Sequence, residues 1–187
     1  MQKNIQSDLY RYGGLTGSKG FLKGLRIPGF RYTYLLRKAS TYKKYTPGWF
    51  FYSFLLNRYA YKYGFQIPSR TSIGEGFYIG HYGFVVINEK ARIGRNCTIG
   101  PGVTIGQANR GKLKGYPTIG DNVWIGTNAV IVGNVRIGSN VLIAPNAFVN
   151  QDIPGSSMVI GNPCQIIPKE NPCESYINFV LEPETIV

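Results

Sequence analysis

The distribution of aliphatic residues along the chain changes character near residue 66. From there on it follows a period of six: Ile73-Gly74, Ile79-Gly80, then Ile93-Gly94, Ile99-Gly100 and Ile105-Gly106. After an interruption it continues through Ile119-Gly120, Ile125-Gly126, Ile131, Ile137-Gly138, Ile143-Ala144 and Val149. An eight-residue step from Val85 to Ile93 is the one irregularity inside the first run. Small or β-branched residues follow many of these aliphatics at the fourth place, among them Cys97, Val103, Val123, Ala129, Val135, Val141 and Ala147. Neither a helix nor an ordinary alternating strand repeats every six residues. A solenoid does, with short strands whose side chains point inward and corners where Gly, Asn or Asp tolerates unusual backbone angles. Three units complete a coil. Ile119 is therefore expected to stack on Ile137, Ile125 on Ile143, and Ile131 on Val149.

The first 65 residues lack this period. Tyr32 to Lys38 and Phe50 to Tyr63 read as helices, with Pro28-Gly29 preceding the first and Pro47-Gly48 as a turn between them. The expected division is a helical segment at 1–65, a solenoid at 66–168 with a loop ejected at 106–118, and a tail at 169–187. The tail, mildly acidic through Glu170, Glu174, Glu182 and Glu184, is expected to pack back or fray.

Charge sharpens this division. The chain of 187 residues carries a formal +12. Residues 1–70 hold thirteen Lys/Arg and a single acid, Asp8, whereas residues 71–187 hold eight of each sign. Seventeen of the 26 aromatic residues also precede residue 71. A basic, aromatic leader can cap the open first coil and pack against neighbouring subunits. It can also lie on an anionic membrane, or stack on single-stranded nucleic acid. Capping and the membrane are the favoured partners, and nucleic acid is set aside.

Other patterns exclude function classes. There is no signal-peptide pattern and no apolar run long enough to span a bilayer. The three cysteines fit no metal-ligand spacing, one histidine makes a zinc site implausible, and no phosphate loop or Ser/His/Asp set is present. Cys97 occupies a repeat position for small apolar residues and is read as core filler. A cytoplasmic protein with reduced thiols is expected, peripheral on the inner membrane face if the leader docks there.

The run from Gln66 through Gly80-His81 to Gly161-Asn162-Pro163 resembles the hexapeptide-repeat acyltransferases, in particular the serine acetyltransferase branch and its relatives that O-acetylate surface polysaccharides. The resemblance covers roughly residues 64–168. It implies a mainly β, left-handed parallel β-helix, a homotrimer, acetyl-CoA as co-substrate and no metal. It also implies that His81, the sole histidine, is the general base that takes a proton from an attacking hydroxyl. In the serine enzymes an aspartate fifteen residues earlier supports this histidine; here that position is Gln66, which can orient the ring but brings no charge. Glu89 matches a glutamate eight residues after the histidine and is a candidate to replace the lost carboxylate. Gly80 and Gly115-Tyr116 stand where the serine enzymes carry an aspartate and an Arg-His pair.

The resemblance places acetyl-CoA along Gly106, Gly126, Thr127, Ala144, Gly161 and Pro163, with Arg110 and Lys112 of the loop toward its phosphates. Pro145 lacks the N–H that the family pattern uses there. A site stripped of charge suits a neutral hydroxyl. The expected activity is therefore acetyl-CoA-dependent O-acetylation of a sugar on a surface-polysaccharide precursor, free or lipid-linked, by direct transfer. Serine O-acetylation is the alternative enzyme. A non-catalytic scaffold or binding solenoid is the alternative of another class.

Overall fold

The computed structural model describes residues 2–181, so Glu182 and Glu184 lie outside the described residues. Four helices come first: α1 (Lys3–Tyr10), α2 (Gly17–Gly24), α3 (Pro28–Thr41) and α4 (Pro47–Tyr63). Five coils follow. The first contains β1 (Phe65–Gln66), β2 (Ser72–Ile73) and β3 (Tyr78–Ile79), and the second β4 (Val85–Ile87), β5 (Arg92–Ile93) and β6 (Thr98–Ile99). The third contains β7 (Thr104–Gly106), β8 (Thr118–Ile119) and β9 (Val123–Ile125), and the fourth β10 (Val130–Val132), β11 (Arg136–Ile137) and β12 (Val141–Ile143). The fifth has β13 (Phe148–Val149), a single bridge at Ile153, and β14 (Ser157–Ile160). β15 (Gln165–Pro168) then turns back antiparallel on β14.

Stacking the coils makes three parallel sheets. The first sheet has the order β1-β4-β7-β10-β13, the second β11-β8-β5-β2, and the third β15-β14-β12-β9-β6-β3. The register pairs Ile119 with Ile137, Ile125 with Ile143 and Ile131 with Val149, as the period of six predicts. Each inward column is almost sealed: Ile99, Ile125, Ile143 and Val159 are fully buried. A fully buried aliphatic contributes on the order of 1.5–3 kcal/mol over an exposed one, and here isoleucine meets isoleucine or valine from layer to layer. The corners are set by asparagines in the left-handed region: Asn96, Asn122 and Asn140 form one column, with the Asn96 side-chain amide donating to Asn122 Oδ1 at 3.0 Å. Cys97 is buried beneath the same edge, as its repeat position requires.

The helical region departs from the sequence reading in two ways. Pro28-Gly29 and Pro47-Gly48 do not precede or separate helices; each proline is the first residue of one, where its fixed φ fits and its missing N–H costs nothing. α1 and α2 were not foreseen. α1 has only Ile5 and Leu9 as apolar anchors, and its place is set by tertiary contacts. The chief contact is Asp8, buried under the first coil. It accepts two bonds from the Arg37 guanidinium (2.9 and 3.2 Å) and one from the Phe77 N–H (2.8 Å). Arg37 also donates to the carbonyls of Ile73 and Gly74, and Arg11 to that of Gly76. The open edge of the first coil thus finds its hydrogen-bond partners in arginines of the helices.

Gly29 marks the closest approach, since a side-chain carbon there would overlap the Ile79 carbonyl oxygen. The helices cap the solenoid, as the sequence suggests. The tail packs back rather than fraying up to residue 181: Cys173 is buried, Tyr176 lies 4.8 Å from Trp124 ring to ring, and Arg11 Nε donates to the Asn178 carbonyl.

Candidate active site

His81 sits on the corner between β3 and β4, and this corner is enlarged. Eight residues separate the stacked positions Ile79 and Ile87, against six at the equivalent corners from Ile99 to Ile105 and from Ile125 to Ile131. The sequence reading put the irregularity after Val85. The register puts Ile87, not Val85, over Ile105, so the two extra residues belong to the His81 corner. The surplus chain pushes Gly80-His81-Tyr82-Gly83-Phe84 outward. His81 is exposed, and Phe84 has 82% of its surface accessible. Gly83, at φ +146, supplies the bend, and its N–H is tied to the Tyr63 carbonyl at 2.9 Å.

The residues proposed to support His81 are distributed around this corner. Gln66 lies on β1, opposite Val86, with its side chain exposed. It lines a groove of about 730 Å³ between α4 and the edge of the first sheet, which it shares with Phe84, Trp49, Asn57 and Tyr61. Among the described residues no charged side chain lines this groove. Glu89 is elsewhere: it follows the far end of β4 and lines a second cleft of about 700 Å³ with Arg70, Lys90, Arg92 and Lys114. Among the described residues no hydrogen bond joins His81 to Gln66 or Glu89. A single chain therefore brings Gln66 to the His81 side of the first sheet and Glu89 to the opposite side.

Below the His81 corner runs a column of equivalent corners, at Gly100-Pro101, Gly126-Thr127 and Ala144-Pro145, ending near Gly161. The Gly126 and Ala144 amides are already committed, donating to the Ile143 and Val159 carbonyls at 2.8 Å. Thr127 is exposed, and among the described residues its N–H has no backbone partner. Thr127 is thus a donor that this column leaves available. Gly161 and Pro163 are exposed at its end, and Phe148 N–H donates to the Gly161 carbonyl.

Gly106 lies on the other edge of the first sheet and passes into the ejected loop. That loop is more ordered than its loss of repeat suggested. Ala108 and Gly115 exchange both backbone bonds, so it is a short hairpin. Leu113 packs on the core, and its carbonyl accepts the Asn134 N–H at 2.9 Å. Arg110 and Lys112 are exposed in this hairpin, on the edge away from His81. Burial pushes the Cys97 thiol up to about 12, which keeps it protonated and removes it from consideration as a nucleophile. No group of three or more metal-ligating side chains occurs among the described residues.

Comparison with known proteins agrees with this architecture. The bacterial transferase hexapeptide family, in six repeats, matches residues 70–107 and 116–151. The serine acetyltransferase of Staphylococcus epidermidis is 42% identical over 107 residues, covering 57% of this chain and 50% of that protein. That of Staphylococcus aureus is 41% identical over the same length. The chain thus spans about half the length of the curated relatives it matches. Among solved structures, the Neisseria gonorrhoeae serine acetyltransferase in complex with serine superposes with a TM-score of 0.71 at 32% identity, covering 88% of this chain and 68% of that one. The soybean serine acetyltransferase apoenzyme gives a TM-score of 0.73 at 29% identity, over 88% and 67% of the two chains. Repeat, register and similarity converge: the chain belongs to the hexapeptide-repeat acyltransferases, in their serine acetyltransferase-like branch.

Proposed function

We propose that the protein is an acetyl-CoA-dependent O-acetyltransferase in which His81 is the general base. The observation that carries this reading is the enlarged corner: the only imidazole of a chain in this family stands exposed at the head of the column of corners. His81 takes the proton of an acceptor hydroxyl as its oxygen bonds to the thioester carbonyl carbon. The tetrahedral intermediate collapses, the carbon–sulfur bond breaks, and the imidazolium returns its proton to the departing CoA thiolate. The Thr127 N–H is the donor we assign to the pantetheine arm. Arg110 and Lys112 lie in the hairpin that follows β7, whereas His81 lies on the corner that precedes β4. A homotrimer in which the hairpin of one subunit reaches the His81 corner of the next would bring them together and agrees with the family's habit of assembly.

The acceptor supported by the relatives is L-serine, since the similar proteins are serine acetyltransferases and one of them was solved with serine bound. This places serine ahead of the polysaccharide hydroxyl inferred from the sequence. One observation favours the sugar as a second reading. The groove reached by Phe84 of the enlarged corner offers the rings of Trp49, Tyr61 and Phe84 and the amides of Asn57 and Gln66, and among the described residues no charge to hold an ammonium or a carboxylate.

Thiol release from acetyl-CoA decides both points. His81→Ala should lower the rate by about 10²–10⁴-fold while leaving the melting temperature unchanged, because the side chain is exposed. Undiminished release would remove the base assignment. Turnover of L-serine but of no sugar in a panel would end the second reading, and the converse would end the first. Absence of acetyl-CoA binding at millimolar ligand would point to a non-catalytic solenoid.

A further inference from the structure

We propose that the outward face of α4, with the turn joining it to α3, docks the protein on an anionic membrane surface. α4 is apolar on both sides. Its inner side buries Leu56 and Tyr63 and packs Tyr52, Leu55, Tyr59 and Ala60 against the core. Its outer side carries Phe50, Phe51, Phe54 and Tyr61, of which Phe54 is 68% and Tyr61 91% exposed. At about 100° per residue these four fall within an arc of roughly 100°. They extend along about 16 Å of helix, so the face meets a plane along its length. A helix that is hydrophobic all round has a partner on every side, and the described residues supply none for this one.

The charge around the stripe identifies that partner. Lys43 and Lys44 sit in the turn beside the exposed Tyr45, and Arg58 and Lys62 border the aromatics on the helix. None of the four has a carboxylate partner among the described residues, and no Asp or Glu occurs between Asp8 and Glu75. Aromatic rings at headgroup depth flanked by cations that reach up to lipid phosphates are the chemistry of an interfacial helix. Two copies meeting through this face about a two-fold axis would set cation against cation. No helix of the described residues is long and apolar enough to cross a bilayer, so α4 would lie on the surface.

Flotation of the full chain with vesicles tests this directly. With phosphatidylcholine vesicles containing about a third phosphatidylglycerol the protein should float, and the bound fraction should fall as salt rises. Lys43→Gln with Lys44→Gln should weaken partitioning roughly fivefold per cation removed. Phe50→Ser with Phe54→Ser should weaken it further without lowering the melting temperature, because neither ring is part of the core. Failure of the parent chain to float, or equal flotation on pure phosphatidylcholine, would overturn the proposal. So would binding to a single-stranded oligonucleotide but not to vesicles. Sedimentation velocity supplies the remaining arm: if the Phe variants break an oligomer while flotation persists, the face is a contact between copies and the proposal fails.

Discussion

The solenoid and its helical cap reach stability by opposite means. In the coils similar contacts recur: aliphatic over aliphatic from layer to layer and Asn96, Asn122 and Asn140 along one column of corners, with no buried ion pair among the described residues. In the cap every important contact is unique: one buried carboxylate, two arginines with specific carbonyls, one glycine at one close approach. A repetitive structure spreads the consequence of a change over several layers, whereas a structure of single contacts concentrates it. The fragile part of this molecule is therefore expected to be the part without a repeat. Two of the bases that this strongly basic segment buries, Arg11 and Arg37, are spent on backbone carbonyls of the first coil.

The sharpest way to break this contrast is Arg37→Met, which leaves Asp8 buried without its counter-charge. Removing one partner of a buried pair costs about 3–5 kcal/mol. Limited proteolysis should then cut within residues 1–46 while the coils resist. Uniform loss of protection over the whole chain would show that cap and coils form one cooperative unit. The exposed pair Arg95–Asp121 is the control, and Asp121→Asn should leave the melting temperature where it was.

Next comes Ile125→Ala in the middle coil. The side chain is fully buried between Ile99 and Ile143, and its truncation should cost about 2–5 kcal/mol. Denaturant unfolding should show the loss. A value nearer 1 kcal/mol would mean that neighbouring layers collapse into the gap, and the repeat would be more forgiving than its packing suggests.

The smallest effect is alkaline. Burial raises the hydroxyls of Tyr12, Tyr32 and Tyr34, the last to about 12, all in the cap; the buried group so affected in the coil core is Cys97. A raised value in the folded state stabilises fully below the unfolded value, near 10 for tyrosine. That contribution is lost as pH climbs through the folded one. Between about pH 10 and 12 the aromatic near-ultraviolet dichroism of the cap should fade before the far-ultraviolet β signal. Simultaneous loss would contradict the division.

Legibility followed the same line. The six-residue period specified strands, stacking partners and the burial of Cys97, because each was dictated by a repeated local rule. The enlarged corner is visible in the sequence as an eight-residue step but reads one repeat unit too late, between Val85 and Ile93 rather than between Ile79 and Ile87. Val85 imitates an inward aliphatic, and only the pairing of Ile87 with Ile105 reveals the true column. In the cap the helices of Tyr32 and Phe50 were readable, whereas α1 was not, since it is held by Asp8 and not by its own pattern. One signal was available: a lone acid among thirteen bases is a candidate for a buried pair. For the candidate site, His81 stands out in the residues only as the sole histidine, and its proposed role comes from the family resemblance. That Glu89 lies across the sheet from His81 could not be read there, because eight residues of separation do not say on which edge of a strand each end falls.

The way the coils end has a consequence for the molecule as matter. Parallel coils with bare ends are segments of a fibre, since any coil can serve as template for the next. Here α1 and α3 occupy one terminus through Asp8, Arg11 and Arg37, and at the other β15 runs against the direction of the stack, with prolines at 163 and 168. Growth is blocked at both termini by different chemistry. The length of the stack, five layers, is thus held between two stoppers, and removing either would leave a bare coil whose unpaired backbone groups could template another copy.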